Sequence, residues 1–541
     1  MAVSAGARRW IGLIAVALGV ALIVVDTTIV NVITPSVIDD LGINSSQAQW
    51  IQESYAIVFA ALLLVVGRIA DLWGSKTVFV VGVVIFGVTS LLAGLAPNGE
   101  TLILARFLQG VGAAAILPTS LALLNHTFTG PARGKAFAVW GSTIGAATAL
   151  GPVLGGWLSE NSSWRWAFGI NIPLTIVILI IAALFLSQPG KSKGGVDLVG
   201  AVLSIIGLGL LAFGLVEGRV YGWVMSEEPF ELFEWTWDSG LSPAFVALVI
   251  SVLLLGLFVW RQVIVSRGRS RHQPLMDTKL FSIASFRNGN IATLIIGLGE
   301  FGIIAVLPLW LQFTLDYTPL QAGLALVPIA IGSFVASGAS FPMSGKLTPL
   351  TLVRIGLILE VVGLAGLGVV AAFTDANWFL ISVVLFFYGI GVGFATAQVT
   401  NVVLADVPAD EGGQSSGIQS TFRQLGSALG IAALTTVFFS TLGSTLQNRL
   451  EDKGLSVTDA TKFSDAVTDS AGAAIGPIGE IPDYGFVADI ARDAMTHAVT
   501  LGSLLAAGFL VVGVIATFLI PNNKAAGHSS TPEAAESTPA A

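Results

Sequence analysis

The sequence has no cysteine. That excludes disulfides, thiolate metal sites and cysteine nucleophiles together. Histidine is nearly as scarce, and His126, His272, His497 and His528 are scattered without ligand spacing. No metal is therefore expected. Charge is scarce as well: 11% of residues carry it, against about 25% in an ordinary soluble domain. A chain of 541 residues with so little charge cannot cover a water-facing surface. There is no basic patch with interleaved aromatics, so nucleic-acid binding has no support. There is no G-x-x-x-x-G-K-[ST] loop, so nothing points to ATP. The net charge of −8 sits mostly in loops and says little about partners.

What is abundant is apolar: 54% of the residues are hydrophobic and the mean hydropathy is +0.85. A bilayer core needs about 20 such residues per helix. Runs of that length lie near 11–36, 49–72, 76–96, 101–124, 134–158, 164–186, 196–216, 243–263, 289–313, 320–342, 349–372, 378–398, 414–441 and 496–520. They are continuous, whereas barrel strands would be about ten residues long and alternating. The expected fold is all-α and integral to the membrane, with about fourteen spans. Arg8 and Arg9 before the first run look like the start of a signal peptide. That run continues to Pro35, however, and is read as a retained helix.

Lysine and arginine set the orientation. Counted with the N-terminus inside, Arg8, Arg9, Arg68, Lys76, Arg133, Lys135, Lys191, Lys193, Arg267, Arg269, Arg271, Lys279, Arg287, Lys346 and Arg354 all fall on inner segments. The segments near 217–242 and 442–495 are acidic and belong outside. Both termini are thus expected in the cytoplasm, and the tail after Pro521 is expected to be disordered. Gly67-Arg68 with Lys76 recurs as Gly345-Lys346 with Arg354, which suggests two related halves. The expected division is a six-helix bundle over 1–190, an inserted helix pair over 191–288, a second bundle over 289–521 with the long outer loop 442–495, and a tail over 522–541.

Four stretches carry a resemblance. GRIADLWGSK (Gly67 to Lys76) resembles the loop pattern G-x-L-A-D-R-x-G-R-K; Gly67 and Gly74 permit a tight turn, and Asp71 can charge-pair a helix end. RFLQGVGAAA (Arg106 to Ala115) resembles R-x-x-Q-G-x-G-A-A. GSTIGAATALGPVLGG (Gly141 to Gly156) resembles G-x-x-x-G-P-x-x-G-G: Gly141, Gly145, Gly151, Gly155 and Gly156 give a smooth face, and Pro152 a bend. DTTIVNVITP (Asp26 to Pro35) resembles D-x-T-V-V-N-V-A-L-P, and WRWAFGINIP (Trp164 to Pro173) fits alongside it. Together they resemble the major facilitator superfamily, in particular its fourteen-helix drug:proton antiporter branch. The resemblance implies a gate at Asp71, proton coupling at Arg106, export by antiport from the helix-five pattern, and a monomer in a bacterial plasma (inner) membrane. The two arginines of the loop pattern are replaced here by Leu72 and Ser75, which implies a thinner gate network.

Four carboxylates fall inside spans: Asp26, Glu53, Glu300 and Glu360. A buried charge is expensive, so such acids should face a cavity, carry a proton, or both. A structural hydrogen bond to a neighbouring helix is the alternative, and Glu53 also lies close enough to the outer interface to reach it. Arg106 is the opposing base within the spans; Arg261 and Arg423 fall at inner helix ends, within reach of water. The surplus of acids favours proton coupling and a cationic cargo; with the resemblance it implies a proton-coupled exporter of small cationic or lipophilic compounds such as drugs or biocides, driven by the proton gradient without a cofactor. The alternatives are an exporter of one metabolite, such as a diamine, or a proton-coupled nutrient importer. An enzyme has no nucleophile, metal or cofactor site to work with.

Overall fold

The computed structural model describes residues 5–521 apart from 44, 193–194, 233–234, 238–239, 270–272, 344–345, 374–376 and 409–410. The tail after Pro521, Gly345 of the second repeat, Arg271 and His272 lie outside the described residues. In a bilayer every backbone N–H and C=O must be satisfied within its own segment, so apolar runs become helices. Seven come first: α1 (Ala5–Leu41), α2 (Ser45–Trp73), α3 (Ser75–Gly94), α4 (Gly99–Thr127), α5 (Pro131–Asn161), α6 (Arg165–Gly169) and α7 (Asn171–Phe185). The pair α8 (Leu198–Glu217) and α9 (Pro243–Ile264) follows. Then come α10 (Ala284–Phe313), α11 (Pro319–Met343), α12 (Pro349–Phe373), α13 (Trp378–Val403), α14 (Gly412–Asp452), α15 (Val457–Asp469), α16 (Ile475–Gly479) and α17 (Gly485–Thr517). Among the described residues 13 helical segments are long and apolar enough to cross a membrane. Helix α11 stands where the remaining expected span should be, with a shorter apolar stretch over Leu320–Ala336.

Helices α1 to α7 pack on one another: α1 on α5 and α7, α3 on α4 and α7, α2 on α4. Helices α10 to α14 and α17 form a second group through α10–α14, α12–α13, α11–α13 and α10–α17. The groups meet along α5 with α11 and α13, and along α2 with α14. The pair α8–α9 is a helical hairpin whose α8 lies on α2 and also touches α14. One end of the molecule carries the α2–α3 turn and residues 265–283, and is called here the basic end. The opposite, acidic end carries residues 218–242 and 453–484. At the basic end Gly74 makes the turn with φ of 93°, a left-handed angle that suits glycine. Gly67 does not join the turn, contrary to the sequence reading. It lies inside α2, where a Cβ would meet the Gly413 carbonyl at 2.7 Å and the Gly417 Cα at 2.9 Å.

The acidic end differs from the expected loops. Helix α14 runs on to Asp452, α15 folds back against it and α16 packs on α17, so much of 442–495 is packed helix. Leu442, Leu446 and Leu450 face Ala460, Val467 and Val487 in one buried cluster. Ser456 starts α15 by accepting from the Asp459 amide at 3.1 Å. Between α8 and α9 a short antiparallel hairpin pairs Phe230–Leu232 with Trp235–Trp237.

Candidate functional site

The buried acids of the spans and the gate loop separate into four settings. Asp26 and Arg106 form an ion pair at 2.5 Å inside the first bundle, and their side chains are 0% and 1% exposed. A buried pair costs several kcal/mol of desolvation per ion, which further hydrogen bonds must offset. They are present. Asp26 Oδ1 accepts from Gln109 Nε2 at 2.8 Å and from Asn171 Nδ2 at 2.9 Å. Arg106 donates Nε to the Ile51 carbonyl at 3.0 Å and Nη1 to Gln109 Oε1 at 2.8 Å. Its guanidinium lies 4.3 Å from the centre of the Tyr55 ring. Asp26 therefore sits in a saturated network between α1, α4 and α7, not on an open cavity. Gln109 is the glutamine of the R-x-x-Q-G pattern and Asn171 lies in WRWAFGINIP, but neither is a candidate site residue from sequence, because neither is charged.

Asp71 is at the basic end, where α2 meets the start of α14. Its carboxylate accepts from the Gly413 amide at 2.6 Å and the Gln414 amide at 2.8 Å. These are free amides of a helix N-terminus, where negative charge is favoured. Lys76 turns the other way and donates to the Ala183 and Leu186 carbonyls at 3.1 and 2.8 Å, closing the end of α7. It ties the first bundle to itself rather than to the gate. Arg68, without the two arginines of the family pattern beside it, is hydrogen-bonded to Gln273.

Glu300, Glu360 and Arg423 gather where the bundles meet. A narrow cavity of about 20 Å³ is lined by Gly145 and Thr148 of α5, by Glu300, Phe301 and Ile304 of α10, and by Ile329, Tyr388, Val392 and Arg423. Glu300 is 4% exposed and accepts from Thr396 Oγ1 at 2.9 Å. The Tyr388 hydroxyl donates to the Glu300 carbonyl at 2.8 Å. Glu360 is fully buried, and neither of its carboxyl oxygens has a hydrogen-bond partner among the described residues. Arg423 lies 5.6 Å from the centre of the Phe301 ring and faces both acids electrostatically. The sequence put Arg423 at a helix end near water. Instead α14 begins eleven residues earlier, at Gly412, which carries Arg423 inward to the cavity.

Glu53 takes part in neither cavity nor Asp26 network. It is hydrogen-bonded to Glu217 at the end of α8, and the two are 6% and 0% exposed. Arg219 acts on both charges and lies 4.4 Å from the centre of the Phe439 ring on α14. The sequence reading ended the seventh apolar run at 216 and so left Glu217 in a loop.

The glycines of α5 serve two neighbours. A Cβ on Gly155 would meet Ile29 at 3.0 Å, and one on Gly151 would overlap the Thr28 hydroxyl, so both glycines admit α1 of the same bundle. Gly156 lies against Leu320, with a Cβ at 3.2 Å from its Cα, and Gly145 against Ser333. Pro152 offers its backbone to Gly323. Those three face α11 of the other bundle. The expected single smooth face is thus divided between packing within a bundle and packing between bundles.

The Major Facilitator Superfamily matches residues 16–431. A puromycin resistance protein of Streptomyces alboniger is 33% identical over 440 residues, covering 80% of this chain and 82% of its own. The multidrug resistance protein Stp of Mycobacterium tuberculosis strain H37Rv is 28% identical, covering 93% and 90%. The multidrug efflux pump LfrA of Mycolicibacterium smegmatis is 30% identical, covering 80% and 81%. In fold the chain is similar to a human organic anion transporter, TETRAN, with a TM-score of 0.58 at 14% identity, covering 94% of this chain and 99% of that one. A proton:xylose symporter gives a TM-score of 0.55 at 13% identity, covering 94% and 96%. Two helical bundles meeting at a charged cavity, matched over most of their length by these membrane carriers, place the chain in the major facilitator superfamily, to which it belongs.

Proposed function

We propose that the protein is a proton-driven exporter of small cationic or lipophilic compounds, of the drug or biocide class, working by alternating access. The observation that carries this reading is the cavity at the bundle seam, lined by Glu300 and Arg423, with the fully buried Glu360 close enough to act on both charges. Arg423 balances one carboxylate. The other needs a proton or a positively charged cargo. An ion pair at 4 Å gains about 4 kcal/mol at an effective dielectric near 20, before desolvation is subtracted. Proton and cargo therefore compete for one charge, and that competition is the coupling. Cargo binds from the basic end, which the lysine and arginine asymmetry puts in the cytoplasm. The cavity then opens to the acidic end, where protonation displaces the cargo. The proton gradient supplies the energy, with no cofactor, and the working unit is a monomer. The resistance and efflux proteins among the relatives support the same class of cargo. Because Arg423 takes one of the two negative charges that a diamine would need, a monocation suits the cavity better.

The test is uptake into acid-loaded proteoliposomes of a lipophilic monocation, a diamine and a neutral drug. Monocation uptake that rises with the gradient and stops with a protonophore is expected. Uptake indifferent to the gradient, or confined to anionic or neutral compounds, overturns the reading.

A further inference from the structure

The segment Gln273–Met276 is the chain that leaves the inserted pair and enters the second bundle. It is held on both sides by buried amide side chains. On one side Gln414, 3% exposed on the first turn of α14, donates Nε2 to the Pro274 carbonyl at 2.9 Å and to the Leu275 carbonyl at 2.7 Å. The backbone amide of this same Gln414 donates to Asp71. Gln273 takes the Arg68 guanidinium from α2. On the other side Gln262 of α9, fully buried, accepts through Oε1 from the Leu275 amide at 2.9 Å and the Met276 amide at 3.3 Å. Its Nε2 donates to Asp197 at 3.1 Å, and Asp197 is clasped in turn by Arg261, with contacts at 2.7 and 3.0 Å. Leu275 is buried between the two glutamines, with 0% exposure.

We infer that the inserted helix pair is part of the gate at the basic end, with Gln273–Met276 as a strap that fastens α2 and the start of α14 to α8–α9, and with Gln262 and Gln414 as its positioning residues. The chemistry favours a strap over ordinary loop packing. Gln414 spends its amide and its backbone on joining α14 to the strap and to α2, and Gln262 spends both ends of its amide on holding the strap to α9 and α8. Buried amides bonded in this way are costly to leave unmade, by about 1–3 kcal/mol each. When α2 and α14 separate at the basic end, Asp71 leaves the Gly413 and Gln414 amides. The Gln414–Pro274 and Arg68–Gln273 contacts must break with it, or the whole inserted pair must travel with α14. The strap supplies contacts at the place where the gate loop lacks its two arginines. The inference rests on the alternating-access reading above.

The chain lacks cysteine, so a reporter pair can be placed cleanly. In Pro274→Cys/Glu411→Cys, which leaves Gln414 and the strap carbonyls in place and is reconstituted as the full chain, a short bis-methanethiosulfonate bridges the strap to the start of α14, and dithiothreitol removes the bridge. The unbridged pair sets the reference rate. Loss of gradient-driven uptake on bridging, with recovery on reduction and no effect in either single variant, is expected. In a Ser416→Cys background, Gln262→Ala should raise maleimide labelling several-fold, because α9 no longer holds the strap in place. Uptake at the reference rate in the bridged protein, or labelling unchanged by Gln262→Ala, overturns the inference. If the cysteine-free parent shows no gradient-driven uptake, the transport reading fails, and the labelling result still decides whether the strap controls access.

Discussion

The two bundles treat their buried acids in opposite ways. In the first, Asp26 meets Arg106, Gln109 and Asn171 and has no unmet demand. In the second, Glu300 has one hydroxyl donor, Glu360 has no hydrogen-bond partner among the described residues, and one arginine faces them both. In sequence all three are simply carboxylates in apolar helices. What separates them is the number of donors that the neighbouring helices bring. A saturated carboxylate fixes structure. An under-coordinated one beside a cavity can exchange its proton for a cation. The first bundle is thus the rigid partner at this level of chemistry, and the second holds the exchangeable charge.

The largest expected effect on stability comes from breaking the saturated pair. Arg106→Ala leaves Asp26 buried without its countercharge, a change that costs about 3–5 kcal/mol. The thermal transition in detergent should fall steeply and yield should drop. A variant as stable as the parent would mean that Asp26 is not held as a structural ion and would erase the contrast.

Next come the glycines of α5, which divide the same way. Gly151→Leu drives a side chain into Thr28 of α1, and overpacking of this kind costs about 1–3 kcal/mol. Gly156→Leu presses on Leu320 across the seam instead. It should slow turnover more than it lowers the melting temperature. Equal losses of stability in the two would remove the distinction between internal and inter-bundle packing.

A smaller effect is expected at the clasp beside the strap. Burial pushes the Asp197 carboxyl up, but hydrogen bonds from Arg261, the Gly200 amide and Gln262 outweigh it and hold the group below the usual carboxylate range. A depressed folded value means stability that is present above the ordinary aspartate pKa of about 3.9 and lost as pH falls through the folded value. Between pH 5 and 8 the clasp should not titrate. Asp197→Asn should cost about 1 kcal/mol, since Arg261 remains partly exposed. A melting temperature that follows pH across that range in the parent but not in this variant would contradict the assignment.

Much of this was legible in the sequence. The spans follow from continuous apolar runs, since lipid leaves the backbone no other partner. Asp71 against a helix end is implied by the loop resemblance, and a buried partner for Arg106 follows from the cost of its charge. The rest depends on where helices stop and on which side chains meet. Arg423 is taken for a helix-end residue from sequence although the run near 414–441 already sets it nine residues inside; only the packing of α14 on α10 shows that it faces the cavity. Glu217 was missed because it ends its helix by a single residue. Gln262 and Gln414 bear no charge and sit in no motif. Their role appears only when a loop from one group passes between helices of the others. The packed helices over 453–484 were read as loop because their apolar positions are spaced among acids and serines.

Glu360→Gln should have the least effect on stability and the most on coupling, because the amide keeps the shape of a group that has no hydrogen bond to lose. The direct measurement is proton release from purified protein in weak buffer when a saturating lipophilic monocation is added. The parent should release a proton for each cargo molecule bound, and Glu360→Gln or Glu300→Gln should bind with little or no release. Proton release that persists unchanged in both variants would contradict the claim that cargo and proton share the carboxyls of the second bundle.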